Sequence, residues 1–248
     1  MKMFYSFYLH EGNFTVPLIR TVITWLIGLP ITLILFIAVL ISLALDRSGS
    51  SVHSIGALWC RVILRLAGVI VTVRGAENIP EGSPVILLSN HQGAFDIPAL
   101  QGCLPLQFRW VAKKSLFSIP VIGWSMRFAG YIGIEREHGS KAYRSIVRAA
   151  KKIQTGTSVL VFPEGTRSGG AGLLPFKRGA FLLAVKSGVP VIPVAINGTK
   201  DIMKKGGLLI TPHNVTITIG RPIETNGMDE KALSDVTRRM MENLLNAA

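Results

Sequence analysis

The strongest constraint on this chain is a run of 25 positions, Thr21 to Leu45, that contains no charged residue. A helix needs about 20 apolar residues to cross the hydrocarbon core of a bilayer, so this run is predicted to lie in lipid. It is too long for a secretory signal peptide and no small-residue cleavage site follows it, so we expect it to be retained. Gly28 and Pro30 leave two alternatives open: one kinked span, or two half-helices that enter and leave on the same side.

A second apolar stretch, Val52 to Leu66, carries Arg61 and Arg65 one helical turn apart. A basic stripe on an apolar helix is typical of an interfacial helix, and equally of an amphipathic helix packed on a domain. Together with Arg47 and Arg74, these arginines lie on the carboxyl side of the first run. The excess of positive charge on cytoplasmic loops therefore predicts an inner-membrane protein whose main body faces the cytoplasm.

The chain is strongly basic, with 27 Lys and Arg against 14 Asp and Glu and a formal charge of +13. Such a charge attracts nucleic acid, anionic lipid or acidic protein. No nucleic-acid motif is present, and basic residues do not alternate with aromatic ones, so nucleic acid is not expected as a partner. Cys60 and Cys103 lie in apolar surroundings without CxxC spacing, which indicates reduced structural cysteines and no metal site.

Beyond Gly68, short β-branched runs alternate with helical segments. The predicted strands are Val69 to Val73, Pro84 to Leu88, Ser158 to Phe162, Val189 to Ile196 and Val215 to Ile219. The predicted helices are an amphipathic helix with one basic face that begins at Ser140 and is closed by Gly156, then Phe181 to Lys186 and Ala232 to Leu245. This alternation predicts an α/β fold with a mixed, mostly parallel sheet covered by helices, over residues 69–248, preceded by membrane-anchoring helices in residues 1–68.

The strand ending at Leu88 runs into a polar loop that contains His91 and Asp96, and α/β sheets usually place their sites at such strand ends. In a continuous helix the two residues would point about 140° apart, so the chain must turn between them. Gly93 permits a turn, and Pro98 suits the first turn of a following helix, which places Asp96 near a helix start.

A carboxylate bonded to one imidazole nitrogen fixes the tautomer and leaves the other nitrogen to accept a proton from a hydroxyl. His91 and Asp96 are therefore candidate catalytic residues, with His91 as general base, although a structural histidine bonded to a nearby carboxylate is the alternative. No GxSxG nucleophile elbow is present. The reacting hydroxyl is therefore predicted to belong to the substrate.

A second strand-end loop, Phe162 to Ser168, is followed by the glycine-rich run 169–172. Backbone amides, hydroxyls and the Arg167 guanidinium gathered there predict an anion site, because arginine binds phosphate oxygens with two hydrogen bonds. A carboxylate at Glu164 would repel a phosphate, so we expect it to orient Arg167 or a substrate hydroxyl. In the alternative, Glu164 and Arg167 pair across the loop.

From about Val73 to Pro222 the chain resembles the glycerolipid acyltransferase family, and most closely its bacterial-type lysophosphatidic acid acyltransferases. Four family motifs stand in order: Asn90, His91 and Asp96; Tyr131 to Arg136; Phe162 to Ser168; and Val189 to Val194. The pair Lys113 and Lys114 and the run Phe176 to Ala180 also look like the family pattern. Glu135 departs from it, since aspartate is commoner there.

The resemblance implies that His91 deprotonates an acceptor hydroxyl, which attacks an acyl thioester of CoA or of an acidic acyl carrier protein without an acyl-enzyme intermediate. It implies no cofactor. It assigns the acceptor's glycerol phosphate to Arg136, Glu164, Gly165, Thr166 and Arg167, and the acyl site to Pro193. Lys113 is expected near the thioester or phosphate, and a Gly165 amide is a candidate oxyanion donor. If the resemblance is set aside, Arg136 could be an ordinary surface or ion-paired residue. Pro193 could be a strand-end or edge proline, and Lys113 and Lys114 could be a solvated pair.

Several alternatives stay open. The acceptor is expected to be lysophosphatidic acid, but glycerol phosphate, a lysophospholipid or a lyso-aminolipid would suit the same chemistry. The basic face from Lys141 to Lys152 is either a solvated surface or a dock for an acyl carrier protein or anionic headgroups. A non-catalytic, basic, membrane-anchored binding module is the third alternative, and it gives no reason for His91.

Overall fold

The computed structural model describes residues 14–135 and 139–247, and it begins with two helices that pack on each other. Helix α1, Thr15–Leu45, runs without a break through Gly28 and Pro30, so the alternative of two half-helices is wrong. Helix α2, Ser50–Ala67, follows after a short turn in which the Asp46 carboxylate accepts hydrogen bonds from the amides of Ser48 and Ser51, at 2.7 and 2.8 Å.

The described residues form one seven-stranded sheet, in the order β1-β7-β6-β2-β5-β3-β4. All neighbouring strands are parallel except β6 and β7, which confirms the predicted mixed, mostly parallel α/β sheet. The strands are β1 Ile70–Arg74, β2 Ile86–Ser89, β3 Arg109–Lys113, β4 Ile132–Ile134, β5 Val159–Val161, β6 Val191–Asn197 and β7 Asn214–Ile219. Strands β3 and β4 were not predicted, because β3 begins and ends with a cation and β4 is only three residues long.

Helices cover both faces of the sheet. The remaining α-helices are α3 Asp96–Cys103, α4 Ile122–Phe128, α5 Gly139–Gln154, α6 Arg178–Ser187 and α7 Glu230–Asn246. Helices α2 and α3 share one buried core with the sheet, and α5, α6 and α7 share the other. Because Ile63, Leu64 and Ala67 of α2 belong to the first core, α2 is an amphipathic helix packed on the sheet. A domain boundary at residue 68 stays a prediction.

The carboxyl ends of β2, β3, β5 and β6 meet at one edge of the sheet because these strands are parallel. Helix α1 packs antiparallel on α2, with Arg20 near Leu66 and Thr32 near Trp59, and it contacts the rest of the domain at two distant points. In its first half, the Thr21 hydroxyl accepts from the amide of Ile210 at 2.8 Å, and the Trp25 indole donates to the carbonyl of Leu208 at 3.2 Å. Further on, the Phe36 ring lies 6.1 Å from the Trp124 ring of α4.

Candidate active site

The imidazole of His91 and the carboxylate of Asp96 meet at the carboxyl end of β2. Nδ1 of His91 lies 2.5 Å from Oδ2 of Asp96, although the two residues are five positions apart. The chain turns between them as expected, and Asp96 is the first residue of α3. Asp96 is fully buried, whereas the His91 side chain keeps 12% of its surface exposed. The contact uses Nδ1, so Nε2 is the nitrogen available to a substrate hydroxyl.

Further donors hold the Asp96 carboxylate in place. Its Oδ2 accepts from the backbone amides of Gln92 and Gly93, at 2.7 and 3.0 Å, and its Oδ1 accepts from the hydroxyl of Thr199. Gly93 packs so closely on Thr199 that a Cβ there would lie 2.8 Å from the Thr199 carbonyl oxygen. A glycine is therefore required at position 93 by close packing between the two loops.

Asn90 fixes the start of the loop to a neighbouring strand. Its amide nitrogen donates to the carbonyl of Ile196 at 2.9 Å, and its amide oxygen accepts from the Ile196 amide at 2.8 Å. Asn90 therefore completes the hydrogen bonding of β6 beyond its last pair with β2. This explains in physical terms why an asparagine precedes His91.

The ring of His91 stacks on the ring of Phe162, with centroids 3.9 Å apart and an angle of 7° between the planes. Phe162 contacts Trp110 of β3 in turn, at a centroid distance of 5.4 Å. The Trp110 indole donates to the side-chain oxygen of Gln101 at 2.8 Å, which fixes its orientation. The imidazole is thus held from its face by an aromatic pair and from its edge by Asp96.

Glu164 does not point into an open anion site. It is 1% exposed, and its two oxygens accept from the backbone amides of His91 and Leu174, at 2.8 and 3.0 Å. Burial raises the pKa of this carboxyl, and the two amide donors oppose that shift. The carboxylate therefore joins the His91 loop to the loop that follows the glycine-rich run. A direct contact of Glu164 with substrate stays a prediction.

The residues after Glu164 turn back toward His91. Gly165 has a φ of +73°, a conformation that favours glycine, and its amide donates to the carbonyl of Phe162 at 3.1 Å. The proposed oxyanion donor is therefore engaged in this turn. The amide of Ser168 donates to the carbonyl of His91 at 2.7 Å, so the two strand-end loops are bonded directly. Thr166 and Arg167 between them are exposed.

Arg167 lines a pocket of about 300 Å³ beside the catalytic loop. Residues Gln92 to Ala94 form one wall, and a segment after β6 forms another. This segment contributes three cations, Lys200, Lys204 and Lys205, which the sequence interpretation did not select. A phosphate in this pocket would meet four cationic side chains, so the pocket has the charge that an acceptor phosphate requires.

The other predicted site residues lie further away in the fold. Lys113 is exposed at the carboxyl end of β3, two strands from β2 in the sheet. Pro193 is buried inside β6, beside Leu88 of β2, just before pairing with β7 begins at Val194. The alternative of a strand-end or edge proline is wrong, because β6 lies between β2 and β7. Arg136 lies outside the described residues.

Thr199 is the main site residue that the sequence analysis missed. It lies in a short 3-10 helix after β6 and is fully buried against Asp96. Its segment is also tied to the catalytic loop by the Gly198 amide, which donates to the Gln92 side-chain oxygen at 3.2 Å. The only local indication of its role in the sequence was that Thr199 lies two residues beyond the end of β6, the strand that pairs with β2.

Comparison with known proteins places these residues in a described family. Residues 70–197 match the family model described as Acyltransferase. The 1-acyl-sn-glycerol-3-phosphate acyltransferase alpha of Homo sapiens is 34% identical over 84% of this chain and 76% of its own length. The 1-acyl-sn-glycerol-3-phosphate acyltransferase of Pseudomonas aeruginosa is 33% identical over 73% of this chain and 71% of its own.

A solved structure has the same fold. The crystal structure of a 1-acyl-sn-glycerophosphate acyltransferase from Thermotoga maritima superposes with a TM-score of 0.76 and 29% identity, over 92% of this chain and 97% of that one. A chloroplast relative from Brassica napus is 35% identical, but the match spans only 56% of its length, and the match to a relative from Arabidopsis thaliana spans 50%. The chain therefore spans about half the length of these plant relatives.

Proposed function

Because this chain belongs to the acyltransferase family, we propose that it transfers a fatty acyl group from an acyl thioester to the free hydroxyl of lysophosphatidic acid, giving phosphatidic acid. The observation that carries the proposal is the buried His91–Asp96 pair beside a cationic pocket of about 300 Å³. The names of the relatives support the acceptor, since each is described as acting on 1-acyl-sn-glycerol 3-phosphate.

In the proposed reaction, Nε2 of His91 takes the proton of the acceptor hydroxyl as its oxygen attacks the thioester carbonyl. The Asp96 carboxylate stabilises the imidazolium that forms. The tetrahedral intermediate then expels the thiolate, and the imidazolium returns the proton to give a free thiol and an ester. The thioester already carries an activated acyl group, so the proposed step needs no cofactor. General-base catalysis of this kind contributes about 10²- to 10⁴-fold to a rate.

The acceptor's phosphate is proposed to bind in the pocket with Arg167. Arginine can hold two phosphate oxygens at once, and Lys200, Lys204 and Lys205 add charge from the opposite wall. Gln92 and Gly93 also line this pocket, so a phosphate there lies next to the catalytic loop. An acceptor bound by its phosphate would therefore reach His91 with its glycerol hydroxyl, which explains why the acceptor carries a phosphate.

We further propose that α1 lies in the plane of the membrane. Its outward side chains are apolar and 57% to 70% exposed: Leu26, Leu29, Leu33, Ile34, Ile37 and Ile41. Its contacts with the catalytic domain, at Thr21 with the loop after β6 and at Phe36 with α4, are 15 residues apart, or about 22 Å at 1.5 Å per residue. A perpendicular helix would therefore draw the catalytic loops deep into a hydrocarbon core about 30 Å thick.

An in-plane helix instead keeps the loop after β6, which contacts α1 and borders the proposed phosphate pocket, at the lipid surface, where a lipid acceptor is found. Membrane lipids are therefore proposed partners of α1. The cytoplasmic side of the inner membrane is proposed from the arginines after α1, and CoA or an acidic acyl carrier protein is proposed as the donor.

The test is to incubate the purified full chain with a panel of acceptors and both types of acyl thioester, and to identify the product lipid by its mass. The panel contains lysophosphatidic acid, glycerol phosphate, a lysophospholipid and a lyso-aminolipid. We expect phosphatidic acid with the wild-type chain and none with His91→Ala. A dominant product from another acceptor would reassign the substrate, and no product from any pair would favour a non-catalytic binding module.

A further inference from the structure

A second cavity, of about 800 Å³, lies at the far end of the same sheet edge and is not used by the proposed reaction. It opens between α5 and the segment that follows β3, next to the edge strand β4. Its lining includes five exposed cations: Lys114, Arg127, Lys141, Arg144 and Arg148. Of the described residues that line it, only Glu135 is acidic, and its carboxylate lies 3.8 Å from the ammonium of Lys114. The cavity, here called the cationic groove, is therefore suited to an anion.

An exposed apolar segment, residues 116–128, borders the cationic groove. Five of its large apolar side chains are 37% to 56% exposed: Leu116, Ile119, Ile122, Trp124 and Phe128. A contiguous apolar surface of this kind is unusual on a protein surrounded by water and marks a contact with protein or membrane. Phe117 and Ser118 of the same segment line the groove, so the apolar surface and the cations adjoin.

The apolar segment continues the lipid-facing surface of α1. The ring of Trp124 lies 6.1 Å from the ring of Phe36, and α4 packs directly on α1. If α1 lies in the membrane plane, residues 116–128 reach the same depth. The cations beside them then lie at the level of the headgroups, where an anionic lipid presents its phosphate.

We infer that the cationic groove binds the phosphate headgroup of an anionic phospholipid of the bilayer, while residues 116–128 enter the boundary of the acyl chains. The combination of apolar side chains with adjacent cations is what an interfacial contact requires. An acidic carrier protein would fit the cations but would leave the apolar segment beside them uncovered. The inference rests on the proposed in-plane position of α1 and is independent of the proposed acyl transfer.

The test measures lipid binding without any turnover. The full chain, purified in a mild detergent, is titrated with fluorescent phosphatidylglycerol and, separately, with fluorescent phosphatidylcholine. The double variant Arg144→Glu/Arg148→Glu should bind phosphatidylglycerol at least about thirty-fold more weakly, because it removes the attraction of two cations for an anionic surface and adds repulsion. Its weak binding of phosphatidylcholine should not change.

The matched control is Lys231→Glu/Arg239→Glu, which changes the net charge equally on the exposed surface of α7 and should leave both affinities unchanged. Equal affinity for phosphatidylglycerol in the wild type and the groove variant would overturn the inference, as would an equal loss in the control. If the groove variant kept its affinity for phosphatidylglycerol but lost acyl transfer from an acyl carrier protein alone, the groove would be a docking site for that protein instead.

A second measurement tests the apolar segment. In vesicles of phosphatidylcholine and phosphatidylglycerol, brominated acyl chains should quench part of the tryptophan fluorescence. That part should shrink in Trp124→Phe, because bromine quenches only indoles at the depth of the acyl chains. Unchanged quenching in Trp124→Phe would place the segment outside the membrane and contradict the inference.

Discussion

The hydroxyl of Thr199 donates a hydrogen bond to Oδ1 of Asp96 across 103 residues of chain. This contact is made by a residue after β6 to a residue after β2, and the two strands are neighbours in the sheet. The carboxylate that orients His91 is therefore itself oriented by a second strand end. Among the residues that the structure describes, four donors surround Asp96: the His91 ring, two amides of its own loop and Thr199.

Removing the Thr199 hydroxyl should slow the chemical step. We expect Thr199→Val to lower kcat at least roughly ten-fold, because a hydrogen bond to a charged group is worth about 1.5–3 kcal/mol and 1.4 kcal/mol corresponds to ten-fold in rate. The KM values for both substrates should not change. Thr199→Ser should retain activity because serine keeps the hydroxyl that donates to Asp96. Steady-state kinetics of the two variants check this, and an unrestored Thr199→Ser would point to packing instead.

Substitution of the catalytic pair should abolish transfer without releasing the protein from membranes. We expect His91→Ala and Asp96→Asn each to lose at least about 10²- to 10⁴-fold in kcat, the usual contribution of a general base. The hydrogen bonds of both residues are made to the loops after β2, β5 and β6, and α1 is a separate element, so both variants should still sediment with membranes. Near-full activity in either variant would show that the pair is structural.

Glu164→Gln should lower kcat more than it raises the acceptor KM. A carboxylate accepts from both backbone amides, at His91 and Leu174, whereas the glutamine amide presents an N–H to one of them. An unsatisfied buried donor costs about 1–3 kcal/mol, so the unfolding temperature should also fall. Kinetics with varied acceptor concentration separate the two roles: an effect confined to KM would put Glu164 on the substrate.

Arg167→Ala should chiefly raise the KM for lysophosphatidic acid, because its guanidinium lines the pocket proposed to hold the phosphate. Lys200→Ala, on the opposite wall, should have a smaller effect of the same kind. The matched control is Arg239→Ala on the exposed surface of α7, which should leave every kinetic constant unchanged. If Arg167→Ala instead raised only the KM for the acyl thioester, the pocket would be a donor site.

The protein should lose stability in acid through His53 of α2. This residue is buried and accepts or donates one hydrogen bond, at 3.0 Å, with the Tyr131 hydroxyl. Burial, together with the nearby Arg109, lowers the pKa of His53 from 6.5 to about 4. The unfolded chain therefore binds the proton more tightly, so stability present above pH 6.5 is lost as the pH falls toward 4.

The size of this loss is at most about 3 kcal/mol, at 1.36 kcal/mol for each pKa unit. His53→Gln does not titrate and still offers a hydrogen-bonding group to Tyr131, so it should lose less stability across the same pH range. Thermal unfolding in detergent at pH 7 and pH 4.5 measures the difference. An equal loss in both proteins would assign the acid sensitivity to other groups.

The sequence by itself determined the features that depend on neighbouring residues. The uncharged run, the amphipathic α5 and the β-branched strands are visible as local periodicity, and they were enough to predict the α/β class and the long apolar helix. The turn between His91 and Asp96 was also predictable, because Gly93, Pro98 and the five-residue spacing are local. The second strand-end loop could be placed near the first because parallel strands end at one edge.

Tertiary structure alone decided which residues complete the site. Glu164 reaches the His91 amide across 73 residues, and Asn90 reaches Ile196 across 106. Such contacts depend on the order of strands in the sheet, which is set by the packing of the whole core and leaves no periodicity in the sequence. For the same reason Thr199 and the pocket lysines became visible only when β6 was placed beside β2, and the cationic groove only when α5 was placed beside the segment after β3.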